Sequence, residues 1–146
     1  MPDKLPYKTF LATFKFAPRA AISLLIKNKN NQILLTKRLR PPFPDCWHLP
    51  GSFIIKNEAQ MDCIKRVLKE ELGLDLKNNK PKLVGIFDNI NKDPRGHAID
   101  IIYEIVFPNN VRLKAVGYTK EIMFFDKLPS EIGFNHKEVF NKLGYK

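Results

Sequence analysis

The sequence predicts one α+β domain in which a mixed β-sheet is covered by helices on both faces. Three observations carry this expectation. The length of 146 residues is that of a single domain with one core, so the whole of 1–146 is taken as one unit. Strand-like apolar segments surround one strongly amphipathic segment without a repeat, a low-complexity linker or a break in composition. A second helix-like segment closes the chain, which gives the sheet an element for each face.

Taken in order, AAISLLIKN (20–28) and NQILLTKRL (31–39) are β-rich runs joined by KNKNN, whose asparagines and lysines are turn chemistry, so they read as a hairpin. RPPFPDCWHLPG (40–51) follows, and its four prolines forbid a regular helix and preset a rigid irregular loop. Between Glu58 and Gly73, Ile64, Val67, Leu68 and Leu72 recur at helical spacing among charged residues, and Gly73 is a plausible stop. KLVGIFDNI (82–90) and HAIDIIYEIVF (97–107) are rich in β-branched and aromatic residues and read as strands joined by the turn NKDPRG. IMFF (122–125) is a short strand and HKEVFNKL (136–143) a final helix, which Asn135 can cap.

Composition bounds the function. Apolar residues make up 44% and charged residues 27%, and no apolar run approaches the ~20 residues needed to span a bilayer. The amino terminus has no cationic and apolar leader pattern, so the expected location is cytoplasmic and no membrane partner is expected. Cys46 and Cys63 lack metal-site spacing and fit a reducing compartment. The balance of 25 Lys plus Arg against 15 Asp plus Glu gives +10, which suits nucleic acid, a membrane surface or a small polyanionic substrate. The lysines are scattered and there is no aromatic and glycine RNA-stacking motif, so nucleic acid is not the expected partner.

The chemistry concentrates in GSFIIKNEAQMDCIKRVLKEELGL (51–74). On a helix Arg66 reaches Glu70, and position 67 sits beside both Glu70 and Glu71. Adjacent carboxylates repel unless a cation lies between them, and a hard divalent ion such as Mg²⁺ suits oxygen ligands. A solvated helix face carrying ion pairs has the same local pattern.

The segment is not isolated. Glu58, Arg66, Glu70, Glu71, Gly73 and Leu74 fall at the spacing of the Nudix box, GX5EX7REUXEEXGU, with Gly51 immediately before its first position, and WHLPG resembles the approach to it. The resemblance implies an α/β/α sandwich and a hydrolase acting on a nucleoside diphosphate derivative with Mg²⁺, for which Mn²⁺ can substitute; many relatives are homodimers. It implies Glu70 and Glu71 as metal ligands and catalytic residues, with Arg66 in the catalytic set and Gly51, Glu58 and Gly73 supporting the box. Two positions depart from the pattern. Ser52 stands where the box begins with glycine, and its backbone carbonyl can still serve the metal. Val67 stands where a glutamate serves as ligand or base, and valine can do neither. A one-metal site is expected, with its base drawn from Glu104, Glu121, Asp88, Asp93 or His97.

Two branches of the family are echoed. APRAAISLLIKN, ILLTKR and RPPFPDCWHLPGS are similar to the GDP-mannose mannosyl hydrolases, in which an aliphatic residue is tolerated at position 67 and attack is at the sugar carbon. There Arg38, with Lys37 beside it, matches a residue that neutralises the leaving diphosphate; the histidine of that branch has no counterpart in AVGYTKEIMFF. KDPRGHAIDIIYEI and KLPSEIGFNHKEVFNKL resemble the ADP-ribose pyrophosphatase-like branch, in which water attacks phosphorus. Arg95 and His97 are then substrate contacts or turn residues, His136 a ligand or a helix-start residue, and Trp47 pocket or core. The leading expectation is a Mg²⁺-dependent hydrolase of ADP-ribose or a nucleotide sugar, and the other a nucleotide-binding module without turnover.

Overall fold

A computed structural model describes residues 3–146; Met1 and Pro2, included in the expected 1–146 domain and in the amino terminus read as lacking a leader, lie outside the described residues. The first element is one the sequence does not advertise. Tyr7–Thr13 forms a short helix, α1, with no side-chain cap and no buried residue. It is held by aromatic contact, Phe10 packing on Phe14 and on Phe53 at ring distances of 5.2 and 5.4 Å.

The expected hairpin forms β1 (Arg19–Lys27) and β2 (Ile33–Arg38). Asn28 makes the turn, its Oδ1 accepting the backbone N–H groups of Asn30 and Gln32, each at 3.0 Å. The strands pair at Lys27 and Ile33 and then diverge. The wedge between them is filled by two short strands, β3 (Trp47–His48) on β2, inside the segment read as an irregular loop, and β4 (Gly51–Phe53) on β1, which begins at the last residue of that segment. Pro41, Pro42 and Pro44 keep the irregular part to the stretch before β3, while Pro50 separates the two strands and its carbonyl still accepts Leu24 N–H at 2.8 Å. Gly51 is required in β4 because a Cβ there would lie 2.5 Å from the Ile22 carbonyl oxygen of β1.

The predicted amphipathic helix is α2, Gln60–Leu72. It ends at Gly73 with φ 64°, where Gly73 and Leu74 N–H bond back to the Lys69 and Leu68 carbonyls at 3.2 and 3.1 Å. The other strands are β5 (Lys82–Asn89), β6 (Ala98–Val106) and β7 (Thr119–Phe125), the last longer than IMFF. α3, His136–Leu143, is the predicted final helix, but Asn135 makes no side-chain cap bond. The Asn135 amide is drawn instead to β5, donating to the Asp88 carbonyl at 3.5 Å and accepting from Asn89 Nδ2 at 3.3 Å.

The sheet runs β3-β2-β1-β6-β5, with β4 also on β1 and β7 on β2. β1 and β6 are parallel along their whole length, from Arg19 opposite Ala98 to Lys27 opposite Val106, and the other pairings are antiparallel. The expected mixed sheet between helices is therefore present. β1 is buried on both faces, which is why it reads as an unbroken apolar run. Ile22, Leu24 and Ile26 meet Ile64, Val67, Leu68 and Leu72 of α2, while Leu25 packs with Leu35, Trp47, Ile102 and Phe140 on the α3 side. Each of those large side chains contributes about 1.5–3 kcal/mol by leaving water. Among the described residues, no helix is long and apolar enough to cross a membrane.

Candidate active site

The start of α2 is fixed to β4 by one buried fork. Arg66 donates from Nε to Glu58 Oε2 at 2.8 Å and from Nη2 to Glu58 Oε1 at 3.0 Å. It also donates to Ser52 Oγ at 3.0 Å, the Phe53 carbonyl at 2.9 Å and Glu70 Oε2 at 3.4 Å. Arg66 thus holds Glu58 and Glu70 at once and ties the loop from β4 to the helix. The Arg66 guanidinium holds the Glu58 carboxyl below its ordinary range, and Glu58 in turn accepts Ile55 N–H at 3.1 Å. Beside it Cys63 is buried and free, its thiol pushed up to about 12 by burial, and so is inert as a nucleophile.

This clasp presents the two carboxylates unequally. Glu70 is partly exposed and already paired, with Lys4 Nζ at 2.8 Å as well as Arg66. Glu71 is enclosed: its Oε2 is buried with no hydrogen-bond partner, and burial pushes the carboxyl up to about 8 against the pull of the Gly51 N–H and of Arg38. The backbone group that meets Glu71 is therefore that of Gly51, while the Ser52 carbonyl faces the Cys63 thiol at 3.9 Å. Val67 is 1% exposed and belongs to the α2 core, yet it also borders the cavity into which Glu71 opens.

That cavity has a volume of about 1280 Å³. Arg38 enters it from the end of β2, its Nε donating to the carbonyls of Pro42 at 2.5 Å and Arg40 at 3.3 Å. Arg95 enters from the DPRG turn, closed by Gly96 N–H to the Asp93 carbonyl at 3.2 Å, and folds back on Asp93 with side-chain contacts of 2.8 and 3.0 Å. Both guanidiniums lie near the Phe134 ring, at 5.1 and 5.7 Å. Burial and then repulsion from Arg95 lower the Arg38 guanidinium to about 10, so the pair favours an anion placed between its members.

The two buried histidines, His48 and His136, are structural donors and acceptors rather than charges. Leu49 N–H donates to His136 Nδ1 at 3.0 Å, which leaves the proton of the neutral ring on Nε2. Burial and the nearby Arg38 lower His136 to about 3, and His48 lies well below its ordinary value for the same first reason. Both rings border the cavity.

The cavity brings together most of the residues singled out by the sequence, namely Glu58, Arg66, Glu70, Glu71, Gly51, Ser52, Arg38 and Arg95. Lys37 stands outside it: strand alternation turns it to the opposite face from Arg38, against the Trp47 ring at 5.2 Å and toward Glu121 at 3.9 Å. Trp47 is core, edge-on to Phe125 at 4.9 Å. His97 is exposed at the start of β6 and does not line the cavity. Of the five candidate bases, Asp93 alone lines it; Glu104 is paired with Lys27 at 3.1 Å, Glu121 lies by Lys37, and Asp88 and His97 face solvent. Two residues were missed. Asp100 and Asn89 are buried in the wall of the cavity, and the signal for Asp100 was a carboxylate among the apolar residues AIDII that open β6.

The NUDIX domain family matches residues 17–143. The chain belongs to the Nudix family. It is similar to an ADP-ribose pyrophosphatase of Methanocaldococcus jannaschii, 38% identical over 124 residues that cover 84% of this chain and 70% of that protein. Among solved structures it resembles a MutT Nudix hydrolase from Burkholderia pseudomallei, with TM-score 0.75, 24% identity and coverage of 87% of this chain and 98% of that one. It also resembles the Nudix domain of Shewanella oneidensis NrtR complexed with ADP ribose, with TM-score 0.72, 18% identity and coverage of 96% and 97%. The protein is thus a Nudix hydrolase in fold and family.

Nudix hydrolases use divalent metals, and the residues present can be tested against that need. Among the described residues no three His, Cys, Asp or Glu side chains converge as a ready metal site. The buried, unpartnered Oε2 of Glu71 is nevertheless what a cation would satisfy, and Glu70 is the neighbouring carboxylate whose charge Glu71 feels. Two carboxylates with water and phosphate oxygens are enough for Mg²⁺.

Proposed function

We propose that this Nudix hydrolase cleaves ADP-ribose, or a closely related nucleoside diphosphate derivative, by attack of water on the diphosphate. The observation that carries the reading is the convergence of Arg38, Arg95 and the unpartnered Glu71 on one cavity. Glu71 and Glu70 would hold Mg²⁺, or Mn²⁺ in its place, which supplies charge neutralisation and a more acidic water. Arg38 and Arg95 bind and orient the diphosphate. Arg66 keeps β4 and α2 in register, and the apolar wall of Phe53, Phe10 and Phe134 excludes bulk water from part of the cleft. The printed activity of the M. jannaschii relative supports the substrate class. The test is a panel of ADP-ribose, nucleotide sugars, dinucleotides and nucleoside triphosphates in ¹⁸O-water with Mg²⁺. The label should enter a phosphate of ADP-ribose, whereas label on the sugar carbon would move the chain to the mannosyl-hydrolase chemistry.

Removing the diphosphate contact with Arg38→Ala should lower kcat/KM by roughly 10- to 100-fold, the loss of one hydrogen bond to a charged group. Steady-state kinetics read it, and an unchanged kcat/KM would separate Arg38 from the substrate.

A second reading, nucleotide binding without turnover, is favoured by Val67 alone. Val67→Glu discriminates: if the scaffold is otherwise competent, turnover should rise about tenfold, short of the ~10²–10⁴ of a well-placed base because position 67 packs in the core. Saturable ADP-ribose binding without turnover in both proteins would establish the binding module.

A further inference from the structure

The wall of the cavity made by β5, β6 and the start of α3 holds a group of side chains for which the diphosphate chemistry has no use. Asn89 and Asp100 are 2% and 4% exposed, and each keeps one buried oxygen, Asn89 Oδ1 and Asp100 Oδ2, without a hydrogen-bond partner. The orientation of Asn89 is set from behind: Asn135 Nδ2 donates to the Asp88 carbonyl, Asn135 Oδ1 accepts Asn89 Nδ2, and Asn89 Oδ1 is left as a free acceptor. Nearby, His136 Nδ1 is occupied by Leu49 N–H, so its protonated Nε2 is a donor bordering the same cavity.

Carboxylates, guanidiniums and buried acceptors line one cavity. A buried acceptor left unpaired costs about 1–3 kcal/mol, so two in one wall call for a donor from outside the protein.

We infer that Asn89 and Asp100 form a recognition site for a donor-bearing group of the substrate, a hydroxyl or an amino group, in the wall of the cavity made by β5 and β6. This rests on the diphosphate reading proposed above. The site accepts hydrogen bonds through Asn89 Oδ1 and Asp100 Oδ2, and the His136 Nε2–H is placed to return one to a hydroxyl oxygen. Substrates without such a donor lose specificity, while the contacts to the diphosphate are kept.

The experiment compares the wild type with Asp100→Asn, an isosteric change that removes one acceptor charge, using ADP-ribose and two analogues. One joins ADP to tetrahydrofurfuryl alcohol in place of the terminal ribose and lacks its hydroxyls; the other carries unsubstituted purine in place of adenine and lacks the exocyclic amine. Asp100→Asn should lower kcat/KM for ADP-ribose about 10- to 100-fold, chiefly through KM. One analogue should be processed equally by both proteins. Equality on the hydroxyl-free analogue assigns the donor to the sugar, and equality on the purine analogue assigns it to the base. The same factor lost on all three substrates, or no loss on ADP-ribose, overturns the inference. Calorimetric titration with ADP-ribose in EDTA separates the two levels: binding weakened by Asp100→Asn without turnover in either protein defeats the proposed reaction but sustains the recognition site. Equal binding by both proteins, or none by either, defeats the site.

Discussion

Glu71→Gln is expected to lower metal-dependent turnover by ~10³-fold or more while leaving the fold intact, since the metal's contribution to a phosphoryl reaction is several kcal/mol. The substitution keeps the size and the Gly51 contact of the side chain and removes only its capacity for charge. The metal-free variant should be the more stable protein at alkaline pH, because the wild-type carboxyl is enclosed with one oxygen unpartnered. The sign follows from the direction of the shift. Burial raises Glu71 from its ordinary 4.5 to about 8, so its favourable contribution is complete below 4.5 and is lost as pH rises toward 8. Asp100, raised from 3.8 to about 6 by burial, acts in the same direction over a lower window. The buried His48 and His136, both held below their ordinary 6.5, act in the opposite direction below that pH, so melting temperatures in EDTA should fall between about pH 6.5 and pH 8, where Glu71 acts alone. Saturating Mg²⁺ should restore part of the loss at the upper end in the wild type and not in Glu71→Gln. Apparent Mg²⁺ affinity should tighten as pH approaches 8, with release of a proton. Full turnover in Glu71→Gln would refute the metal assignment.

The parts of this site that were legible in the sequence are those encoded by local spacing. Arg66, Glu70 and Glu71 share a helix, so their mutual reach follows from helical geometry, and Glu58 joins them over one loop. The amphipathic stripe of Ile64, Val67, Leu68 and Leu72 likewise fixed which face meets the sheet. What local spacing does not encode is the meeting of β5, β6 and α3. Asp100 acquires its meaning from Asn89 on the neighbouring strand and Asn135 far along the chain, contacts set by strand register and helix docking. α1 was invisible for a related reason: seven residues without a cap or a buried face have no periodic signal, and the aromatic contacts that hold it belong to β4. Lys37 misled because adjacent basic residues look equivalent in sequence, whereas a strand sends them to opposite faces.

Arg66→Ala should cost about 3–5 kcal/mol of stability, the scale for removing one partner of a buried ion pair. The side chains of Arg66 and Glu58 are 9% and 5% exposed, so the variant strands the Glu58 carboxylate rather than returning it to water. It also deprives Ser52 Oγ and the Phe53 carbonyl of their donor and leaves Glu70 to Lys4 alone. For a chain of this size the loss corresponds to a fall in melting temperature of roughly 10 °C or more, readable by calorimetry or urea denaturation. The double variant Arg66→Met with Glu58→Leu separates two contributions. Taking out both charges should recover much of the stability, because desolvating the pair offsets most of what their attraction supplies. It should not recover turnover, since no donor remains to hold β4 against α2 and to keep Glu70 beside Glu71. A single Arg66→Ala variant with wild-type stability and abolished turnover would instead place the guanidinium on the substrate. The contacts that Arg66 already makes to Glu58, Ser52, Phe53 and Glu70 argue for the clasp.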